Sequence, residues 1–467
     1  MEWQFKSSYT QLPPVFYAFM DENPVSNPSW LIKNEKLAAQ LGVSLEDALT
    51  MLAGNEFSDE VEAIAQSYAG HQFGHFTMLG DGRAILLGEL EVEGRLVDVQ
   101  LKGAGRTPYS RGGDGRAAVG PMLREYLMSE AMHALGIPTT RSLAVVATGE
   151  AIQRERALPG AVLTRVASSH LRVGTFEFAA RYTEDIAVLA DYAIERHYPD
   201  IADAPDKYRL LLARVVSAQA SLIAQWQQVG FVHGVMNTDN TTISGETIDY
   251  GPCAFIDAYS LDTVFSSIDT HGRYAFGNQP NIAIWNVARL AESLMPLLSD
   301  DPEEAKVIAK AELDRYPVQF YEHFFTGMLL KLGISTRVEG DKQLVQQLLE
   351  VMEEVGADYT NTFRALSEGR ELAWMEGNEA FTDWYARWTE RVESMEAAFS
   401  TMQSVNPVII PRNYYVDEAI RLAEAGDMSK FELLLRALQQ PFESDPELLH
   451  LANPPEDDRP FVTYCGT

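Results

Sequence analysis

The sequence is poor in cysteine and lacks long apolar runs. Only Cys253 and Cys465 occur among 467 residues, which excludes a secreted scaffold built from disulfides. No apolar run reaches the ~20 residues that cross a bilayer. Residues 1–6 have neither the basic and apolar segments of a signal peptide nor the arginine-rich pattern of a transit peptide. We therefore expect a cytoplasmic protein with no membrane partner.

Basic residues are also scarce. The chain has 37 lysines and arginines against 67 acidic residues, a net charge of −30, which disfavours a nucleic-acid partner. Residues 83–172 are the exception, since twelve basic residues face nine acidic ones there. This local surplus suggests a site for a compact polyanion, although chance clustering on a solvated face would give the same count.

The pattern of the chain predicts an α+β fold with two lobes. Residues 1–75 form an N-terminal extension, with helices predicted over 31–41 and over 45–52, the second capped by Ser44. Residues 76–178 predict a β-rich lobe with one main helix. Its predicted elements are strands 84–90 and 96–101 joined by a turn at 93–94, helix 121–135, and strands 142–147 and 161–166.

The rest of the chain is predicted to be mainly helical. Residues 179–440 form a larger helical lobe, which includes an amphipathic helix over 208–229 that Gly230 ends. Residues 441–467 form an acidic, proline-bearing tail without regular structure. A β-rich lobe followed by a larger helical lobe is the order of the protein-kinase fold.

Lys102 ends a predicted strand about twenty residues after the turn Gly80-Asp81-Gly82-Arg83. In kinase folds a strand lysine reaches nucleotide phosphates beneath a glycine turn, and a helical glutamate holds that lysine. The helix over 121–135 offers Glu125 and Glu130, and Glu125 is preferred although periodicity does not separate them. Each feature alone is also typical of an exposed strand end or a surface carboxylate.

A second motif begins at His233. Kinase-like folds carry a histidine, an asparagine seven residues later and then an Asp-Phe-Gly triplet, which here correspond to His233, Asn240 and residues 249–251 (DYG). Residues 245–246 predict a hairpin turn between segments 241–244 and 247–248. The oxygens of Asn240 and Asp249 would make a site suited to Mg²⁺.

Val235 occupies the position where an ordinary kinase has its aspartate base. Valine cannot accept the proton of a substrate hydroxyl. Asp239, beside Asn240, is the nearest carboxylate that follows this position, so it is the replacement candidate. An ordinary kinase mechanism is therefore disfavoured.

These and other segments resemble the selenoprotein O family of pseudokinases, called YdiU in bacteria. The resemblance extends nearly end to end, through to residues 464–467. The matching segments are 66–75 (QSYAGHQFGH), 101–111 (LKGAGRTPYSR), 169–176 (SHLRVGTF), 232–240 (VHGVMNTDN), 249–251 (DYG) and 277–280 (GNQP).

The resemblance implies roles for individual residues. Gly80, Gly82 and Arg83 would contact the nucleotide, and Lys102 would bind phosphate and pair with Glu125. The other implied roles concern phosphate, proton and metal: Asp114 and Gly115 in the pocket of a flipped nucleotide, Arg165 and Arg172 on the terminal phosphates, Asp239 as proton acceptor, and Asn240 and Asp249 on Mg²⁺ or Mn²⁺.

The resemblance also implies the activity. The expected reaction moves AMP from ATP onto Ser, Thr or Tyr hydroxyls of proteins and releases pyrophosphate, with ATP bound in a flipped orientation. Mn²⁺-dependent transfer of UMP from UTP, an atypical kinase and a non-catalytic nucleotide-binding module are the alternatives. Cys465 lies where some relatives carry selenocysteine, and a redox pairing of Cys465 with Cys253 is a further hypothesis.

Overall fold

The protein has a mixed α/β fold, described by a computed structural model over residues 3–455 and residue 463. Every strand pairing within its sheets is antiparallel. The strands are β1 Tyr17–Phe19, β2 Ser29–Lys33, β3 Ile64–Gln66, β4 Ala69–Gln72, β5 His75–Met78, β6 Ala84–Val92, β7 Arg95–Lys102, β8 Ala117–Ala118, β9 Arg141–Gln153, β10 Ala157–Ala167, β11 Phe231–Val232 and β12 Ala254–Phe255.

The main sheet has the order β1-β3-β6-β7-β10-β9-β2, with β8 paired to β10. The predicted hairpin β6–β7 is confirmed, and Glu93 and Gly94 in its turn both have positive φ. Strand β10 lies beside β7, with Arg165 opposite Gln100 and Leu163 opposite Lys102. Two residues of the predicted site therefore lie on neighbouring central strands.

Helices dominate the chain after residue 172. The predicted helix over 208–229 is confirmed as α6, and Gly230 ends it with φ 75°. The helices are α1 Glu35–Leu41, α2 Leu49–Leu52, α3 Val119–Ala134, α4 Val173–Tyr182, α5 Ile186–His197, α6 Lys207–Val229, α7 Gln279–Leu298, α8 Pro302–Leu313, α9 Arg315–Lys331, α10 Asp341–Val355, α11 Tyr359–Ser367, α12 Glu379–Arg391, α13 Met395–Val405, α14 Asn413–Glu424 and α15 Ser429–Leu438.

Both helices predicted in the N-terminal segment are wrong in part. Residues 31–33 belong to β2, which pairs with β9, and the helix begins only after Asn34, whose side chain caps it. The second helix is confined to Leu49–Leu52, because the Ser44 hydroxyl instead accepts from the Glu46 amide in a turn. Strands β1, β2 and β3, from residues 1–75, belong to the main sheet. The division of the chain at residue 75 stays a prediction.

The predicted hairpin over 241–248 is wrong. Its two segments pair outwards, Thr242 with Arg172 and Thr247 with Thr139, rather than with each other. The Thr242 hydroxyl closes the turn by accepting from the Glu246 amide and donating to the Glu246 carbonyl, at 2.9 and 2.7 Å. The segment thereby connects the sheet to the loop that carries the proposed metal ligands.

The tail contributes a short 3₁₀-helix, Leu449–Ala452, and Thr463 forms an isolated bridge to Ser266. Cys465 lies outside the described residues, and Cys253 is buried. The hypothesis that they pair therefore stays a prediction. Within residues 3–455 no helix combines the length and apolarity that a bilayer crossing requires.

Lys331, at the end of α9, is a buried lysine with 3% of its surface exposed. Its Nζ lies 4.4 Å from the Phe363 ring centroid and 5.6 Å from that of Tyr359. It forms no ion pair with an acidic side chain in the described part of the chain. Burial lowers the pKa of Lys331 to about 7. Between about pH 7 and pH 10.5, Lys331 is therefore mainly neutral in the folded protein but protonated in the unfolded chain.

Replacing Lys331 with methionine is expected to raise the free energy of unfolding at pH 7 by about 2–4 kcal/mol, because it removes this buried charge. The free-energy cost of burying the charged lysine is fully present below pH 7 and disappears as the pH rises towards 10.5. The gain should therefore shrink between pH 7 and pH 9.5 in urea titrations. Lys342→Met, at an exposed lysine, is the control and should show no such gain.

Candidate active site

One cleft of about 670 Å³ brings the predicted site residues together. Its walls are the turn before β6, the loop before β8, the facing sides of β7, β10 and α3, and the loop between β11 and β12. All predicted residues other than the cysteines line it: Gly80, Gly82, Arg83, Lys102, Asp114, Gly115, Glu125, Arg165, Arg172, Asp239, Asn240 and Asp249.

Lys102 lies at the centre of a buried ionic cluster. Its Nζ donates to Glu125 Oε2 at 2.7 Å and to Asp249 Oδ1 at 3.1 Å. Arg165, 2% exposed, donates from Nε to Glu125 Oε1 at 2.5 Å and also contacts Asp249. Glu130 points elsewhere and forms a bidentate pair with Arg141. The helix therefore presents Glu125, and not Glu130, to the strand lysine.

Asp249 is held by three cations. Besides Lys102 and Arg165, Arg172 Nη1 donates to Asp249 Oδ2 at 2.6 Å. Burial alone would raise the pKa of Asp249, but Arg165, Lys102 and Arg172 together hold it well below its usual range. Its backbone has φ 61°, a conformation that non-glycine residues adopt rarely and that is frequent at functional sites. The three cations therefore favour the ionised form of Asp249 and fix the orientation of its carboxylate.

The glycine turn is held against a tyrosine. A Cβ on Gly80 would lie 2.5 Å from the Tyr109 ring, and one on Gly82 would lie 3.0 Å from the Tyr109 carbonyl oxygen. The Thr107 hydroxyl donates to the Asp81 carbonyl at 2.6 Å and so ties the loop to the turn. Only glycine permits this close approach. The turn and the loop thus form one wall of the cleft.

Asp114 and Gly115 lie on the same loop, where Asp114 is exposed and Gly115 is buried. The Asp114 carboxylate pairs with Arg154 at 2.8 and 3.1 Å, and about half of its side chain is exposed. A Cβ on Gly115 would lie 2.1 Å from the Gly105 carbonyl oxygen, so glycine is required here. The carboxylate of Asp114 therefore belongs to the rim of the cleft.

Asp239 differs from the ion-paired carboxylates of the cleft, which are Asp114, Glu125 and Asp249, and resembles the buried Asp81. Asp239 is 8% exposed, its Oδ1 has no hydrogen-bond partner, and it makes no ion pair with a basic side chain among the residues described. Gln72 Nε2 lies 3.5 Å from its Oδ2. Burial raises the pKa of Asp239 to about 7, against the opposing effect of Arg172. Such a carboxyl group can exchange a proton near neutral pH.

Several contacts around Asp239 are not predicted by motif spacing. Glu177 on α4 accepts from the Thr238 hydroxyl and contacts His71 Nδ1, and the His71 amide donates to Thr238 at 2.7 Å. A Cβ on Gly70 would lie 2.6 Å from Asp239 Oδ1. The segment 66–75, singled out only as a family match, therefore packs directly on the proposed proton acceptor.

A divalent cation fits the donor chemistry at one end of the cleft. Asn240 Nδ2 donates to the Val235 carbonyl at 2.9 Å, so its Oδ1 is the oxygen that Asn240 could offer to a cation, and Asp249 lines the same cleft. These are the hard oxygens that Mg²⁺ and Mn²⁺ prefer. No group of three or more His, Cys, Asp or Glu side chains suited to a metal is present in residues 3–455 and 463. Nucleotide phosphates would have to complete the coordination.

The family model described as "Protein adenylyltransferase SelO" matches residues 1–439 of the chain. The chain belongs to the SelO family. It is 56% identical over its whole length to the protein nucleotidyltransferase YdiU of Geobacillus kaustophilus, covering 99% of that relative. It is 54% identical to the YdiU protein of Anoxybacillus flavithermus and 53% identical to that of Brevibacillus brevis, covering 99% and 98% of them. This SelO-family chain is therefore a nucleotidyltransferase.

Glu125→Gln is expected to slow nucleotide transfer about 100-fold, because Lys102 and Arg165 lose the carboxylate that orients them. Glu130→Gln is the matched control, since Glu130 lies on the same helix, is equally buried and also pairs with an arginine. Both variants should lose about 3 kcal/mol of unfolding free energy. Steady-state transfer and urea titration of both variants measure these effects. An equal loss of transfer in the two variants would show that Glu125 acts only through stability.

Proposed function

We propose that this SelO-family chain is a protein adenylyltransferase, which moves AMP from ATP onto Ser, Thr or Tyr hydroxyls of other proteins. We further propose a bilobal, kinase-like arrangement, with residues 76–178 as the β-rich lobe and 179–440 as the helical lobe. Support comes from the family description, which names adenylyl transfer, and from a cleft that combines a strand lysine, a helical glutamate and the Asn240–Asp249 pair.

The observation that carries the proposal is the pairing pattern of the charges in the cleft. Glu125 and Asp249 are bound by cations, whereas Asp239 is buried without one in the described part of the chain. Val235, at the position of the usual kinase base, presents only a methyl-bearing side chain to the cleft. Asp81 also lines the cleft without a cation, but its Oδ2 accepts from the Gln66 amide and it lies in the glycine turn rather than in the loop of Val235. Asp239 is therefore the carboxylate best suited to take a proton, and the cationic cluster is the part suited to bind phosphates.

In the proposed reaction, an acceptor hydroxyl gives its proton to Asp239 while its oxygen attacks the α-phosphorus of ATP. The bond from the α-phosphorus to the bridging oxygen breaks, and the electron pair leaves with pyrophosphate. Lys102, Arg165 and Arg172 stabilise the charge of this leaving group, because they are fixed donors in a largely buried site. The acceptor keeps AMP in a phosphodiester bond.

This chemistry requires the α-phosphate, not the γ-phosphate, to lie nearest to Asp239. We therefore propose that ATP binds flipped relative to ordinary kinases, with its terminal phosphates towards Arg165 and Arg172 and its base side towards Asp114 and Gly115. Asn240 and Asp249 would hold Mg²⁺ or Mn²⁺, which when bound neutralises phosphate charge and aligns the phosphates. Use of UTP with Mn²⁺ would require only a change of base at the same cleft.

The decisive experiment places the radioactive label at one phosphate at a time. The protein is incubated with Mg²⁺, a protein mixture and either α-³²P-ATP or γ-³²P-ATP. We expect label in protein from the α position alone, because only the AMP portion is transferred. A parallel reaction with Mn²⁺ and α-³²P-UTP measures uridylyl transfer on the same scale.

Each result selects one function. Label from the γ position would show a kinase and would contradict the proposed base. Bound ATP without label from either position would show a non-catalytic nucleotide-binding module. Label from UTP exceeding that from ATP would make uridylyl transfer the main activity. Boiled protein serves as the control for non-covalent carry-over.

A further inference from the structure

Beside the cleft, arginines and aromatic side chains form a surface patch. The Arg181 Cζ lies 3.7 Å from the ring centroid of Phe76. Arg273 Cζ and Arg289 Cζ lie 4.9 and 4.7 Å from the ring centroid of Trp285. We call the patch the arginine–aromatic surface and define it by Phe76, Arg181, Tyr182, Arg273, Trp285 and Arg289.

The charges of this surface are incompletely paired. Arg289 contacts Glu292 at 2.8 Å, but 60% of the Glu292 side chain is exposed. Arg181 and Arg273 make no ion pair with an acidic side chain among the described residues, although the chain carries 67 acidic residues. The Nε atoms of Arg273 and Arg289 are buried without hydrogen-bond partners. Glu292 and the buried Glu177, which interacts with Arg181 and Arg289, offset this positive charge only in part.

All three arginines lie close enough to His71 to affect its pKa. Burial, together with the charges of Arg289, Arg181 and Arg273, lowers the pKa of His71. The His71 ring lies 5.3 Å from Phe76 and 5.2 Å from Trp285, in edge-on contacts. The patch is thus one continuous feature rather than three separate side chains.

The surface and the proposed proton acceptor share the hairpin β4–β5. His71 pairs with Phe76 across the hairpin, and the next residue, Gln72, lies 3.5 Å from Asp239 Oδ2. A Cβ on Gly74 at the tip would lie 3.7 Å from the Arg273 guanidinium carbon. Adjacent residues of one short hairpin therefore contact the proposed proton acceptor and the arginine–aromatic surface.

We propose that the arginine–aromatic surface binds an acidic segment of the protein acceptor, close in sequence to the hydroxyl that is modified. This inference rests on the proposed function, because it deepens the identity of the acceptor. Arginine pairs with carboxylates through a planar fork of donors, and arginine, tyrosine and tryptophan are enriched where binding energy concentrates. Tyr182, 52% exposed, and the partly exposed Trp285 supply that aromatic area.

Charge complementarity favours this occupant. The chain has a net charge of −30, so an acidic segment is repelled by most of its surface and attracted at this patch. The patch would therefore orient the segment as well as bind it. A role limited to covering apolar side chains would need no excess of positive charge.

The test uses fluorescent peptides with one tyrosine flanked by aspartate and glutamate, by alanine, or by lysine. Binding is measured by fluorescence anisotropy without nucleotide, and transfer with α-³²P-ATP and Mg²⁺. We expect the acidic peptide to bind about tenfold more tightly than the alanine peptide at low salt, with the difference reduced at high salt. Its Michaelis constant should be lower by a similar factor.

A charge-reversed double variant assigns the preference to this surface. Arg181→Glu combined with Arg273→Glu should abolish the preference for the acidic peptide and improve binding of the lysine peptide. The matched control is Arg337→Glu combined with Arg370→Glu, at two partly exposed arginines that contact neither the cleft nor the patch. That control should keep the wild-type preference. Thermal unfolding establishes that both variants are folded.

The outcomes separate the two proposals. Equal binding and equal transfer for all three peptides would overturn the docking surface and leave adenylyl transfer intact. Selective binding of the acidic peptide, lost in the charge-reversed variant but without any transfer, would support the surface and contradict the proposed function. An unchanged preference in the folded charge-reversed variant would overturn the assignment. If that variant does not fold, the wild-type peptide series alone decides whether an acidic segment is preferred.

Discussion

Replacing Asp249 with asparagine is expected to lower the rate of nucleotide transfer at least about 10³-fold. Asparagine keeps the size of the side chain and tolerates the left-handed backbone that Asp249 adopts with φ 61°. It removes the negative charge and replaces one acceptor oxygen by an NH2 donor. The loss would therefore report the carboxylate itself, through the divalent cation and through the arrangement of the surrounding cations.

The same substitution should weaken the fold. Lys102, Arg165 and Arg172 converge on the Asp249 carboxylate, and without it they repel one another in a largely buried cluster. Removing one partner of a buried ionic cluster is strongly destabilising, because the remaining charges are left unpaired. We therefore expect a loss of about 3 kcal/mol in the free energy of unfolding. Urea titration measures the loss, and saturating ATP should restore part of it because triphosphate supplies anions to the same cations.

The matched control is Asp358→Asn. Asp358 pairs with the buried Arg412, a second cation held by acidic side chains, and does not line the cleft. This variant should lose stability while it retains transfer. If Asp249→Asn transferred nucleotide at near the wild-type rate, Asp249 would not be a ligand or an organiser of the reaction, and the proposed metal site would be wrong.

Two elements that position residues of the cleft can be predicted from local sequence patterns. The Glu93-Gly94 turn and the two apolar runs that flank it predict the hairpin β6–β7, which places Lys102 at a strand end. The helical periodicity of residues 121–135 predicts the helix that carries Glu125. Local propensity and periodicity decide these elements, so the sequence alone is sufficient for them.

Other parts depend on contacts between distant segments. Periodicity cannot choose between Glu125 and Glu130, because both are buried on α3, and the choice is made by whether Lys102 or Arg141 lies opposite. The hairpin predicted over 241–248 fails for the same reason. Each of its segments finds a better backbone partner more than sixty residues away than it finds in the other. Only the folded sheet determines these pairings.

The packing of segment 66–75 against Asp239 is a further long-range effect. His71 and Thr238 are 167 residues apart and make a 2.7 Å hydrogen bond. Nothing in the local pattern of either segment indicates this contact. The glycine at position 70 is the one local signal, since its Cβ would collide with the Asp239 carboxylate. A glycine beside a family motif can therefore mark where another backbone or side chain approaches.

Asp239→Asn is expected to lower the turnover number by about 10²- to 10⁴-fold, because the acceptor hydroxyl loses its proton acceptor. Nucleotide affinity should change little, since Asp239 forms no ion pair within the described cleft and is not part of the cationic cluster. Single-turnover transfer and equilibrium binding of ATP separate the two quantities. A strong loss of ATP binding would mean that Asp239 acts on the nucleotide rather than on the acceptor.

Stability distinguishes this variant from Asp249→Asn. Asp239 is a buried carboxylate whose Oδ1 has no partner, so its ionised form is poorly stabilised in the folded protein. Asparagine carries no charge to desolvate, and the variant should be at least as stable as the wild type in urea titration at pH 8. The two substitutions would thus both slow transfer strongly but change the free energy of unfolding in opposite directions. A marked destabilisation by Asp239→Asn would instead indicate that this carboxylate holds the loop together, and the proton would have to go elsewhere.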